Sequence, residues 1–311
     1  MTTLYEGAFA KINLTLDVTG KREDGFHDIK SVMQTVSIRD DVEIDIGTGK
    51  PWKLLCCKPG LQEGEEAGEG EGESHIPWHK LQAADNIPCD ERNLAWKAAK
   101  IYFEAMNIDP DGIEIRILKR IPSEAGLGGG SADAAAVLRA LNKHYDSPLS
   151  LFALAELGAK VGSDVPFCTV MGTCLVEGRG ERIQKMKNMP DCVIVVCKPD
   201  FSVSTPELYK KIDEITIPTH PDHVAMEAAL LQEDIQKLSD AVYNVFDPIV
   251  TQDHLELNYI KSIMNTYGSR IGSMTGSGSA VFAIAESFEA AIIMCNMLRE
   301  HYPQIYLCKP V

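Results

Sequence analysis

One junction constrains this chain most. "GIEIRIL" alternates as a short strand does, "IPSEAGLGGGSADAA" follows it directly, and Asp133 to about Asn142 ("DAAAVLRALN") is built from strong helix formers. Four glycines (Gly126, Gly128, Gly129, Gly130) therefore sit between a strand and a helix. Glycine there lets backbone amides come close to a ligand, and the free N–H groups and dipole of a helix's first turn favour negative charge. The spacing is not that of a Walker loop, since no Gly-Lys-Ser/Thr follows, nor the G-x-G-x-x-G of a dinucleotide fold. Two readings stay open on these residues alone, a phosphate cradle and a flexible turn. Glu124 fits the first poorly, because a carboxylate inside a phosphate loop must point outward or reach a metal.

Around this junction the periodicities mix. "FAKINLTLDV" alternates, with Ile12, Leu14, Leu16 and Val18 on one side and Lys11, Asn13, Thr15 and Asp17 on the other. "VMQTVSI" and "VEIDI" predict two neighbouring antiparallel strands, with "GKREDGFHD" as the connection from the first. "ERNLAWKAAKIYFEAM" has helical spacing, "SLFALAELGAKVG" predicts a helix capped by Ser150, and "SDVPF" a turn, because Pro166 pushes Val165 from helical geometry. Beyond it come a strand at "CVIVVCKP", a helix near "TPELYKKI", helices between about 223 and 266, a strand at "VFAIAE" and a last helix before "IYLC". Strands and helices intermingle without strict alternation, which is α+β rather than a doubly wound sheet. At 311 residues the chain is long for one core. Two domains are expected, 1–175 and 176–311, with the site in the cleft between them.

Composition removes several functions. No apolar run approaches the roughly 20 residues of a membrane span. The strand pattern also begins too early for a signal or transit peptide, so a cytoplasmic protein with no membrane partner is expected. The nine cysteines are scattered without a C-x-x-C pair, which suits a reducing compartment. Cys56–Cys57 as a redox pair and His75 with His79 as metal ligands lack further partners, so buried thiols and loop histidines are the preferred readings. A net charge of −15 without clustered Lys or Arg argues against nucleic acid. Six Glu fall in "LQEGEEAGEGEGES" (Leu61–Ser74), which is too poor in apolar side chains to offset its ordering entropy; an acidic surface insertion at about 61–79 is expected.

A phosphoryl transferase without a Walker lysine needs positive charge from elsewhere and a group to deprotonate the acceptor hydroxyl. Lys11 and Asp164 of "GSDVP" are the candidates; taken singly, one reads as a solvated strand lysine and the other as a turn-forming aspartate. Three blocks change that reading: "AFAKINLTLDVTGKREDGFHDI", "IPSEAGLGGGSADAA" with "GSDVPF" after it, and "MTGSGSAVFA" near the C-terminus. In this order they resemble the GHMP kinase superfamily over nearly the whole chain apart from the insertion. The opening block resembles in particular its branch that phosphorylates a cytidine diphosphate-linked methylerythritol.

The resemblance implies a two-domain α+β GHMP kinase fold. It implies transfer of the γ-phosphoryl group of ATP to the 2-hydroxyl of that small-molecule substrate, in the non-mevalonate route to isoprenoid precursors. Lys11 and Asp164 become the catalytic pair, the aspartate taking the proton and the lysine keeping it ionised. Asn13 falls where the methylerythritol end is met. Phe26, His27 and Tyr209 fall where the cytidine is held, two rings stacking while the histidine reads an edge. On the ATP side the resemblance implies the loop Pro122, Ser123, Glu124, Ala125, Gly126, Leu127, Gly128, Gly129, Gly130, Ser131 and Ala132, with Asn93 of "RNLAWKAA" against adenine. Thr275, Gly276, Ser277 and Gly278 resemble a second glycine turn that braces this loop. Mg²⁺ accompanies ATP. Ser123–Glu124 before Ala125, and Ala132 where a second serine is frequent, depart from the common loop, which makes Ser131 the choice of metal hydroxyl. The chain is expected to act as a monomer or a homodimer.

Overall fold

The computed structural model describes residues 1–59, 76–84 and 86–311. Leu61–Ser74 of the expected insertion, His75 and the side chain of His79 lie outside the described residues.

The chain opens on two long antiparallel strands, β1 (Thr2–Lys21) and β2 (His27–Ile46). β2 merges the two strands expected at "VMQTVSI" and "VEIDI". The polar run between them stays in the ladder, with Arg39 opposite Phe9 and Asp40 opposite Ala8. Asp40 is fully buried there because its carboxylate accepts the backbone N–H groups of Arg120 and Ile121 and the ammonium of Lys119.

The first part continues through β3 (Lys53–Lys58), β4 (Gln82–Ala83), α1 (Leu94–Met106), β5 (Ile113–Leu118), α2 (Gly129–His144), α3 (Leu151–Ala159), α4 (Val165–Val170), β6 (Thr173–Gly178) and β7 (Arg182–Lys185). Its sheet runs β4-β3-β5-β2-β1, with β6 on the other half of β2 and β7 beyond it. α2 packs on β1, α1 and α4, and its buried Ala132, Ala134, Ala135 and Ala136 allow that close approach. The turn expected at "SDVPF" is instead the start of α4: Pro166 lies in the first helical turn, where its missing N–H costs nothing.

The second part holds β8 (Val193–Lys198), α5 (Thr205–Asp213), α6 (His223–Gln232), α7 (Ile235–Asp240), β9 (Tyr243–Asn244), α8 (Asp247–Asp253), α9 (Glu256–Thr266), β10 (Ser269–Met274), β11 (Val281–Ala285), α10 (Phe288–Arg299) and β12 (Gln304–Cys308). Its antiparallel sheet runs β10-β11-β8-β12. The expected changeover at 175/176 falls inside β6; the β6–β7 hairpin keeps the first sheet going to Lys185, and the second sheet begins at Val193. β1 joins both halves. Ile12 and Leu14 lie in the first core, Leu16 and Val18 in the second, and β9 pairs in parallel with β1 at Thr15 and Leu16. The face bearing Lys11, Asn13, Thr15 and Asp17 is buried as well, so these are not solvated strand residues.

Among the described residues no helix is long and apolar enough to cross a membrane. The nine cysteines are unpaired, and burial pushes the thiol of Cys56 up, away from the thiolate that a redox pair needs.

Candidate active site

α2 starts four residues earlier than its helix-forming run, at Gly129, behind a left-handed Gly128 (φ 71°). Side chains cap α1, α3, α6, α7 and α10 (Asn93, Ser150, Asp222, Asp234 and Ser287), whereas none caps α2. The amides of Gly129, Gly130 and Ser131 therefore lack acceptors among the described residues and border a cavity of about 850 Å³. An uncapped helix start beside a cavity is able to take an anion.

Backbone contacts hold this loop from below. Gly126 (φ 74°) sits so close to the other glycine turn that a Cβ would stand 2.1 Å from the Thr275 carbonyl oxygen. The Ala280 N–H donates to the Ala125 carbonyl at 3.2 Å. Buried Asn244, on β9, donates to the carbonyls of Met274 (2.7 Å) and Gly276 (2.8 Å) and so fixes that second turn. Pro122–Ser131 and Asn93 line the cavity on one side, and Ser202–Pro206, Ser277 and Gly278 on the other, so the site lies in the cleft between the two parts. Asn93 is there, but its amide is already used: Oδ1 caps the Ala95 N–H at 2.9 Å and Nδ2 donates to the Pro88 carbonyl at 2.8 Å. Glu124 takes a left-handed backbone (φ 52°) with an exposed side chain.

β1 carries Lys11 and Asn13 between the two glycine turns. The Lys11 N–H donates to the Leu127 carbonyl (3.0 Å), and its Nζ donates to Asn13 Oδ1 (2.6 Å) and stands 3.8 Å from Asp164 Oδ2. The lysine side chain is 4% exposed and the aspartate side chain 32%, so the cation is shielded while the carboxylate is reachable. Asp164 precedes α4 without capping it. Asn13 is tied down by its N–H to Thr275 Oγ1 (3.0 Å) and by its Nδ2 to Ser31 (2.9 Å), which couples strand and glycine turn.

Beneath the loop the sequence reading missed a buried cluster in which Lys119 donates to both Asp40 and Asp133. Asp133 is pushed up to about 8 by burial, with Lys119 opposing and Asp40 reinforcing that shift, and its Oδ1 has no partner among the described residues. The one local signal was Asp40 itself, a charge in the middle of a strand.

On the acceptor side the His27 ring stacks on Tyr209 (4.7 Å between centroids, 29°) and its Nε2 donates to Asp213 (2.7 Å). Asp213 also accepts from Lys21 (2.6 Å); these two hydrogen bonds, that from His27 foremost, hold its carboxyl below the usual carboxylate range. Tyr209 meets Phe246 edge-on at 5.0 Å, and its phenol is pushed up to about 12 by burial and by the charge of Asp164. Phe26 makes no ring contact with either partner among the described residues. It is 49% exposed, under the guanidinium of Arg179, which lies 3.6 Å from the ring centroid. The sequence-expected trio is thus brought together only in part.

Comparison with known proteins places the chain in a family. The family described as GHMP kinases N terminal domain matches residues 93–172, and GHMP kinases C terminal matches residues 226–304. The chain is 38% identical to the 4-diphosphocytidyl-2-C-methyl-D-erythritol kinase of Bacillus licheniformis, over 99% of this chain and 97% of that one. It is 35% identical to the kinase of the same name from Clostridium beijerinckii, over 98% and 99%. A crystal structure of 4-(cytidine 5'-diphospho)-2C-methyl-D-erythritol kinase matches with a TM-score of 0.73 at 28% identity, covering 98% of each chain. Homoserine kinase from Cytophaga hutchinsonii shares the fold, with a TM-score of 0.69 at 18% identity over 99% and 94%. By its residues, its architecture and these relatives, the chain belongs to the GHMP kinases and, among them, to the 4-diphosphocytidyl-2-C-methyl-D-erythritol kinase family of small-molecule kinases.

Proposed function

We propose that the protein transfers the γ-phosphoryl group of ATP to the 2-hydroxyl of 4-diphosphocytidyl-2-C-methyl-D-erythritol. The observation that carries this reading is the Lys11–Asp164 pair, 3.8 Å apart, where an uncapped helix start meets an aromatic acceptor side.

Asp164, the more exposed member, takes the proton of the attacking hydroxyl. Lys11, aligned by Asn13, keeps that carboxylate ionised and stabilises the charge passing to the γ-phosphate. The first-turn amides of α2 hold the phosphates, and Phe26, His27 and Tyr209 hold the pyrimidine. Among the described residues no three His, Cys, Asp or Glu gather as a metal site. Ser131, which lines the cavity, would hold Mg²⁺ there, and the ion would neutralise phosphate charge.

Incubation with ATP and, separately, the cytidine diphosphate substrate, homoserine or mevalonate tests the assignment by product mass. The first alone should gain a phosphoryl group; phosphorylation of another in its place overturns it.

A further inference from the structure

Among the described residues, Arg179 on the acceptor side forms no ion pair, and its charge reaches the Asp24 carboxylate only from beyond ion-pair distance. Lys21 is engaged by Asp213 (2.6 Å), Arg22 by Asp28 (3.0 Å) and Asp24 (3.2 Å), and Lys30 by Glu177 (3.7 Å). Arg179 has no carboxylate within ion-pair distance among the described residues and rests on Phe26 instead. Building on the function proposed above, we propose that Arg179 binds the diphosphate of the acceptor.

The backbone argues for it. Arg179 lies between Gly178 and Gly180 in the turn from β6 to β7. Gly180 (φ 118°) is packed so that a Cβ would stand 2.2 Å from the carbonyl oxygen of Ser163, the residue before Asp164. The turn is therefore wedged between the catalytic carboxylate on one side and Phe26 on the other. A substrate with its pyrimidine at Phe26 and its hydroxyl at Asp164 must lead its diphosphate across this turn. A guanidinium fork matches phosphate oxygens in a charge-assisted pair that is stronger than a cation–π contact on an exposed ring. Arg179 leaves Phe26 for the phosphates, and that departure frees a ring face for the pyrimidine.

Titration calorimetry of the full chain with cytidine diphosphate and with cytidine separates phosphate recognition from stacking. Arg179→Ala should weaken cytidine diphosphate about 10-fold or more and shift cytidine by less than about 2-fold, with Arg179→Lys recovering part of the loss. Equal losses for both ligands, or none for cytidine diphosphate, overturn the proposal. ATP affinity serves as the folding control, since Arg179 is exposed and away from that cavity. A wild-type chain that binds neither cytidine ligand and fails the product assay overturns the acceptor reading itself, and this proposal with it.

Discussion

The two halves of the site are made of different material. On the proposed ATP side the groups offered are backbone amides of Gly129, Gly130 and Ser131, held by contacts between two glycine turns and left open by the missing cap of α2. On the acceptor side they are side chains that occupy one another: His27 on Tyr209, Arg179 on Phe26, and Asp213 between His27 and Lys21. Backbone held this way stays in place whether or not a ligand is bound, whereas aromatic and charged side chains fill their own site until a substrate displaces them. On the proposed assignment, ATP would meet a preformed cradle, whereas the acceptor would have to displace these side-chain contacts.

Asp164→Asn, at the seam, should have the largest effect. It should reduce kcat by about 1,000-fold or more while ATP affinity, measured by calorimetry, stays near that of the wild type. Joint loss of both would mean that Asp164 shapes the cradle, and the division into halves would break. Gly126→Ala attacks the backbone half. A left-handed alanine costs about 1–2 kcal/mol before the clash with the Thr275 carbonyl is added, so ATP affinity and the thermal midpoint should both fall. Tyr209→Ala attacks the other half and should raise the acceptor KM about 10-fold with the ATP KM unmoved; Phe26→Ala should do the same less strongly. An unchanged acceptor KM in both would remove the stacking assignment.

A separate test is a pH dependence of stability beneath the cradle. Asp133 has its folded pKa raised to about 8, so its contribution to stability is full below the ordinary carboxylate pKa of about 4 and is lost as pH rises toward 8. The wild-type melting temperature should therefore fall more steeply between about pH 6 and 8 than that of Asp133→Asn. Parallel curves would show that Asp133 is ionised throughout.

Much of the site was legible because its signals are local. Alternation marked β1, a glycine run between strand and helix marked the cradle, and Lys11 and Asp164 fell within quotable motifs. The misses share a cause. β2 was read as two strands because Asp40 interrupts the apolar pattern, and its partner Lys119 lies 79 residues away. The start of α2 was placed late because glycine is a poor helix former, while contact with Thr275, 149 residues on, holds the preceding turn at Gly126. Asn244 carried no local signal, because nothing near it tells that it would face the carbonyls of a distant glycine turn.

By itself the sequence determined the rhythm of strands and helices, the absence of a long apolar run, and the motifs that mark a GHMP kinase, since each is set by residues close together along the chain. Only the tertiary structure decided which groups are free to act. Asn93 is taken by a helix cap, His27 by Asp213, and Asn13 by Thr275 across 262 residues, whereas the amides at the start of α2 and the carboxylate of Asp164 remain open. Commitment of a polar group depends on the partner that folding brings to it, and those partners come from remote parts of the chain.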